Sequence, residues 1–441
     1  MNGLFEVGVC GVREDIRGGG EAALRVARGV SLRDALDVTD PAAWTGLDLA
    51  VRSWWWPGEL PRLAEVGALD EGRLALALCH PDGRVREAAL IPAAKRPALS
   101  PLVVVRCADW VAPVRERARE VLRASLDADA AVALAPLVLR VGRRERGSHA
   151  VGLLGEVLRG LPRERRTALF DAAERSVRRY AYRLAVEDGL LSPAELARTA
   201  ARDEDVVVQN LCAESALAAV REGGAYDDDV LPSLLGARAP RVRAAGVTAL
   251  RAAGRPEAAV PFLVDRAAMV RACARYVVRQ YGGDPRVRYR AWCADPADPA
   301  LPPGAAVGLA ECGERADAVL LWPLLAHPVG GVRAGAVAGL RVLDVADVRR
   351  LLPLLDDPVP GVVREAARAL LPGAGALPVA ELTARLAPER PASVRRAAFR
   401  LLRARGDGVV LRAAAGLVND PDERLRVWAG QVVRWWGPGR R

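Results

Sequence analysis

The side chains that carry most enzymatic chemistry are scarce in this sequence: three histidines and seven cysteines in 441 residues. His80 and His327 each precede a proline, and each stands five residues ahead of a Val-Arg pair. A shared position of that kind predicts a turn residue or helix cap. His149 follows Ser148, with no neighbour in sequence to orient it as a general base. The cysteines (Cys10, Cys79, Cys107, Cys212, Cys273, Cys293 and Cys312) are scattered without a CxxC pair, which predicts buried, reduced thiols of a cytosolic protein. Metal binding needs clustered ligands, and the histidines lie far apart. Asp227-Asp228-Asp229 is the densest acidic cluster; ahead of a predicted helix it reads as dipole compensation, with a divalent-cation site as the alternative. The lone Lys95 follows Ala94, so no P-loop is present, Gly8 and Gly11 make no dinucleotide fingerprint, and no serine lies in GxSxG. No catalytic residue, cofactor or metal is therefore expected.

Charge is the more informative property. The chain carries +10, almost entirely as arginine, a bias that matches high-G+C, bacterial coding and need not reflect function. The excess is uneven. Residues 140–183 carry +7 and residues 385–412 carry +6, while residues 1–139 and 184–384 come to −2 and −3. In the first region Arg143 and Arg144 lie in a loop-like stretch, and Arg175, Arg179 and Arg183 are four apart, on one face of a predicted helix. Such a patch can hold phosphates through bidentate guanidinium contacts.

These residues are positioned by a repeat. A Val-Arg or Leu-Arg pair recurs at Val85, Val114, Val177, Val242, Val270, Val332, Val363, Val394 and Leu425, with Val208-Gln209 filling one slot. Most steps are near 31 residues, and two are about double, which places degenerate units near residues 145 and 303. Four residues after the anchor the side chain is always small, as at Ala89, Cys212, Gly246 and Ala398; eight after, it is usually apolar, as at Leu122, Leu250 and Leu402. That stripe lies on one helix face and needs a stacked neighbour to be buried. A helix with an internal proline precedes many anchors, as in Leu231-Pro232 and Leu352-Pro353, and predicts a bent first helix. Asp109, Asp203, Asp265 and Asp420 sit five before their anchors, a natural N-cap for the second helix. Nine after the anchor stand Arg123, Arg251, Arg279, Arg341, Arg403 and Arg434, equivalent positions that predict a basic row; helix C-terminal dipole compensation is the competing reading.

The stretch Leu351-Leu-Pro-Leu-Leu-Asp-Asp-Pro-Val-Pro-Gly-Val-Val-Arg-Glu-Ala-Ala-Arg-Ala-Leu370 resembles the HEAT-repeat family, in particular the short repeats of the phycobilin-lyase type. The resemblance covers roughly residues 48–436 and implies an all-α solenoid, a right-handed superhelix of about 12–13 stacked hairpins. It implies a continuous array over residues 46–441, with residues 1–45 as a divergent cap or appendage. In such repeats the arginine after the anchor commonly pairs with the turn aspartate of an adjacent unit. Charged Arg13, Glu14, Asp15 and Arg17 argue against a signal peptide, and no uncharged run is long enough to span a membrane.

The leading expectation is a monomeric, cytoplasmic, non-catalytic scaffold holding a protein partner on its concave face. The alternative is phosphate-backbone binding by the +9 row and the 140–183 patch. A third reading follows from the HEAT-like alkylpurine DNA glycosylases, which use Trp and Asp in a basic cleft; Asp109-Trp110 and Trp292 with Asp295 are the matching pairs here. Trp54-Trp55-Trp56 and Trp435-Trp436 stand near the array ends, where capping is expected, with base stacking or a partner hot spot as alternatives.

Overall fold

The computed structural model describes residues 18–53, 59–223, 229–406 and 408–436. Every regular element among them is helical, and the chain divides into two compact units between Ser192 and Pro193. Each unit is a stack of antiparallel hairpins, an α-solenoid of HEAT-like type.

The stacking follows from the anchor pattern. Val85, Val114, Val242, Val270, Val332 and Val363 are buried, as are the small residues four further on. In the first unit the second helices Gly83–Ala93, Ala112–Ser125 and Ser148–Arg159 pack in succession. In the second unit Val206–Gly223 packs on Pro240–Ala252, which packs on Ala268–Gln280. Further along, Gly330–Val342, Pro360–Leu370, Ala392–Arg405 and Glu423–Trp436 do the same. The small residue sets the approach distance. A Cβ on Gly246 would lie 2.9 Å from Leu234 Cβ and 3.2 Å from the Leu235 nitrogen. Gly246→Leu should therefore cost about 1–3 kcal/mol through overpacking, read as a lower urea midpoint with unchanged slope.

Two of the prolines act differently from the expected bend. At Pro323 and Pro353 the α-helix ends and the chain continues as a 3-10 turn, Ala318–Leu321 giving way to Pro323–Ala326 and Val348–Leu351 to Leu352–Asp356, whereas Pro232 stays inside the helix Val230–Leu235. Without an N–H, and with a ring that clashes with the carbonyl four residues back, proline at those two positions does not extend so short a helix.

The aspartates at the turns also differ from simple helix caps. Asp109, Asp265, Asp357 and Asp420 each accept the backbone N–H two residues on, at 2.7–2.9 Å. The carboxylate closes the turn, and the first two helices then start from Val111 and Ala267. His80 and His327 fill the same role, their Nδ1 atoms accepting from Asp82 and Val329 at 2.9 and 3.0 Å.

The N-terminal helix Pro41–Val51 is capped by Asp40 and lies against Ser100–Arg106 and Ala128–Val141, which are first helices of later hairpins. Gly19 permits the helix before it to cross closely, since a Cβ there would stand 2.2 Å from the Gly46 oxygen.

Candidate interaction face

The +1 arginines build an internal ladder, as the repeat resemblance implies. Arg86 forks onto Asp109 of the next turn at 3.0 and 2.9 Å, Arg243 onto Asp265 at 2.9 and 2.9 Å, and Arg333 onto Asp357 at 2.8 and 2.8 Å. The remaining amine of each reads its own turn: Arg86 Nη1 donates to the His80 and Pro81 carbonyls at 2.7 and 2.8 Å. One guanidinium thus ties two successive turns together. Against the degenerate unit near residue 303, Arg271 and Arg275 find Glu311 instead. Where the slot holds Gln209, its amide reaches only the Asp203 carbonyl of its own turn. These arginines are structural and mostly buried.

With the ladder and core accounted for, the second helices of the second unit leave a groove of about 490 Å³ on Val206–Gly223, Pro240–Ala252 and Ala268–Gln280. Its walls are Leu217, Ala245, Thr248, Ala249, Ala252 and Met269, and its charged members are Glu214, Arg221 and Arg251. Met269 is 48% exposed, a flexible thioether at a surface position. Sequence reasoning singled out Arg251 here and missed the rest. The available signal was small residues at helix positions that the stacking stripe does not use.

The six +9 arginines are all exposed, in the last turns of their helices. None forms an ion pair among the described residues. Arg251 and Arg403 lie 5.9 Å from the rings of Tyr276 and Trp428. Arg123 belongs to the first unit and the other five to the second. Arg403 and Arg434 line one cavity of about 610 Å³ with Gln431 and Trp435. Trp435 is 76% exposed and so covers little of the array end; Trp54–Trp56 lie outside the described residues.

In the first unit, Arg175 begins the helix Arg175–Glu187, with Arg179 and Arg183 on successive turns. Arg143 is exposed and lines a 140 Å³ cavity with Arg140, Asp40, Glu174 and Ser176. Arg144 is half-buried instead, and that burial pushes its guanidinium below the usual arginine range.

The pairs that suggested glycosylase chemistry are otherwise engaged. Asp109 is fully buried between Arg86 and Arg106, with Val111 N–H on the same carboxylate. Asp295 closes its own turn onto Ala297 N–H at 2.9 Å, and Trp292 packs edge-on against Tyr289. Burial and the adjacent Arg119 and Arg123 push the His149 imidazole below the usual histidine range. The six described cysteines are unpaired thiols, and burial pushes Cys107, Cys212 and Cys293 up to about 12; these three stay protonated and unreactive. Among the described residues no His, Cys or carboxylate group forms a metal cluster. Of the acidic triplet, Asp227 and Asp228 lie outside the described residues; Asp229 stands at the N-cap of Val230–Leu235. No helix of the described residues is long and apolar enough to cross a membrane.

No sequence-family profile and no curated protein matches the chain. Among solved structures it is similar to an engineered protein at 16% identity, over 82% of this chain and 97% of that one, with a TM-score of 0.24. It is also similar to a structure of microtubule polymerases with Tumor Overexpressed Gene (TOG) domain arrays, described as a basis of tubulin recruitment and assembly. That match has 11% identity over 91% of this chain and 94% of that one, again at a TM-score of 0.24. Superpositions of that quality carry nothing about partner or activity; the class, a HEAT-like helical solenoid, stands on the chain's own repeat and hairpin stack.

Proposed function

We propose that the chain is a non-catalytic scaffold that binds a protein segment along the second helices of residues 193–441. The observation that carries this reading is the groove of about 490 Å³ across three consecutive second helices. Its walls are largely methyls and methylenes, exposed at Ala252 and Met269, and it suits an amphipathic segment laid against small residues. Arg221 and Arg251 against the single Glu214 favour a segment with aliphatic anchors and an acidic flank.

The test is selection of peptides from a displayed library on the full chain, followed by affinity measurement against Thr248→Glu. Thr248 is exposed and its hydroxyl bonds only its own helix, to the Ala244 carbonyl, so the substitution blocks the groove without disturbing the core. Selected peptides should carry aliphatic and acidic residues and lose roughly tenfold or more in affinity for the variant, while tolerating high salt. Peptides that bind the variant equally well would place the interaction elsewhere.

A second reading rests on a separate observation: the six +9 arginines are exposed and form no ion pair among the described residues. On that reading they grip a polyanion. Labelled DNA or RNA would then bind with an affinity that falls log-linearly with salt, and Arg403→Ala with Arg434→Ala would flatten the slope.

A further inference from the structure

The last two second helices bring two arginines and an exposed indole to one cavity of about 610 Å³, a volume within the range of ligand sites. Arg403 stands in the last turn of Ala392–Arg405, which Gly406 ends in the left-handed region at φ 69°. Gln431, Arg434 and Trp435 come from the last turns of Glu423–Trp436, which packs on that helix. They are spaced i, i+3 and i+4, so one helix face presents an amide, a cation and a flat ring together. Arg403 lies 5.9 Å from the Trp428 ring, a cation–π contact that holds it at the cavity. Arg434 donates its Nε to the Gly430 carbonyl of its own helix at 3.2 Å, which leaves both Nη groups for a ligand. Trp435 is 76% exposed.

Neither arginine forms an ion pair among the described residues, and no carboxylate is among those that line the cavity. Compensation of the helix dipole accounts for a cation in each last turn. It does not account for an indole left in water at the same cavity. The combination calls for a ligand with both negative charge and a flat apolar face. An acidic peptide supplies the charge without a ring to accompany it. A single-stranded nucleic acid supplies both, one base for each phosphate, and its bases are free to stack on a side chain. In a duplex they are paired and stacked on one another.

We propose that this cavity binds single-stranded nucleic acid, with one base stacked on Trp435 and the adjoining phosphates on Arg403 and Arg434. The guanidinium forks hold phosphate oxygens. The indole accepts any base, because every base has a π-face, and Gln431 offers a donor and an acceptor to a base edge. The assignment rests on the polyanion reading of the +9 arginines and adds to it a site that tells a base from bare backbone.

The test is fluorescence anisotropy of the full chain with labelled single strands of equal length and charge, at low and physiological salt. The strands are oligodeoxyuridylate, oligouridylate and an abasic deoxyribose-phosphate strand. Those with bases should bind roughly tenfold tighter than the abasic one, the scale of one stacked base. Trp435→Ala should bring them down to the abasic level and leave abasic binding unchanged, while Trp435→Phe keeps most of the difference. Arg403→Ala with Arg434→Ala should weaken all three strands and flatten the salt slope. Tighter binding of the deoxy or the ribo strand then identifies DNA or RNA as the occupant. If the abasic strand binds as well as the others with a steep salt slope, or if Trp435→Ala changes nothing, the base site is overturned and the polyanion reading stands. No binding of any strand at low salt overturns both.

Discussion

Asp109→Ala should destabilise the first unit by about 3–5 kcal/mol, the range for removing one partner from a buried ion network. The carboxylate is the common acceptor of Arg86 and Arg106, and all three side chains are essentially inaccessible. Removing it leaves Arg86 with only the carbonyls of its own turn and Arg106 with only Asp48, and opens the Val111 turn. Asp357→Ala makes a useful comparison. Its partner Arg333 is 13% exposed and can recover water, so about 1–3 kcal/mol is expected. Urea titration read by hydrogen exchange separates the units: peptides from residues 71–159 should lose protection in the first variant and those from 330–370 in the second. Equal, small effects in both would mean the ladder is merely decorative.

The same ladder predicts steep acid lability. Burial alone would raise the carboxyls of Asp109, Asp265 and Asp357, but hydrogen bonds from Arg86, Arg243 and Arg333 hold all three below the usual aspartate range. Hydrogen bonds from Arg290 and Arg396 do the same for Asp317 and Asp422. A carboxyl whose folded pKa is depressed stabilises the fold fully above its unfolded value, near 4, and loses that contribution as pH falls through the folded value. Several such groups titrate together here. The urea midpoint should be flat from about pH 7 to 5 and fall steeply below about pH 4, with more than one proton taken up on unfolding. Asp357→Asn and Asp265→Asn should each make that fall shallower. A midpoint unchanged down to about pH 3 would contradict the assigned role of the ladder.

Much of this was legible in the sequence because a solenoid repeats its instructions. The anchor, the small residue four later and the arginine one later recur near every 31 residues, so one unit's packing predicts the next. Histidine in the aspartate slot was legible for the same reason: His80 and His327 share the register, and both close the turn. The role of proline was less so, since ending a helix and bending one leave the same sequence mark. The contacts of Pro41–Val51 were out of reach, because Asp48 meets Arg106 and Thr45 meets Arg140 across 58 and 95 residues of chain. No local pattern announces that meeting. The groove was hidden for a related reason. Thr248, Ala252 and Met269 are ordinary residues until three helices bring them to one surface.

The most direct test of the binding role is amide hydrogen exchange on the full chain with and without a selected peptide. Protection should rise in residues 206–223, 240–252 and 268–280, and Thr248→Glu should abolish it. Protection confined to other helices, or spread evenly along the chain, would contradict a binding face on these three helices.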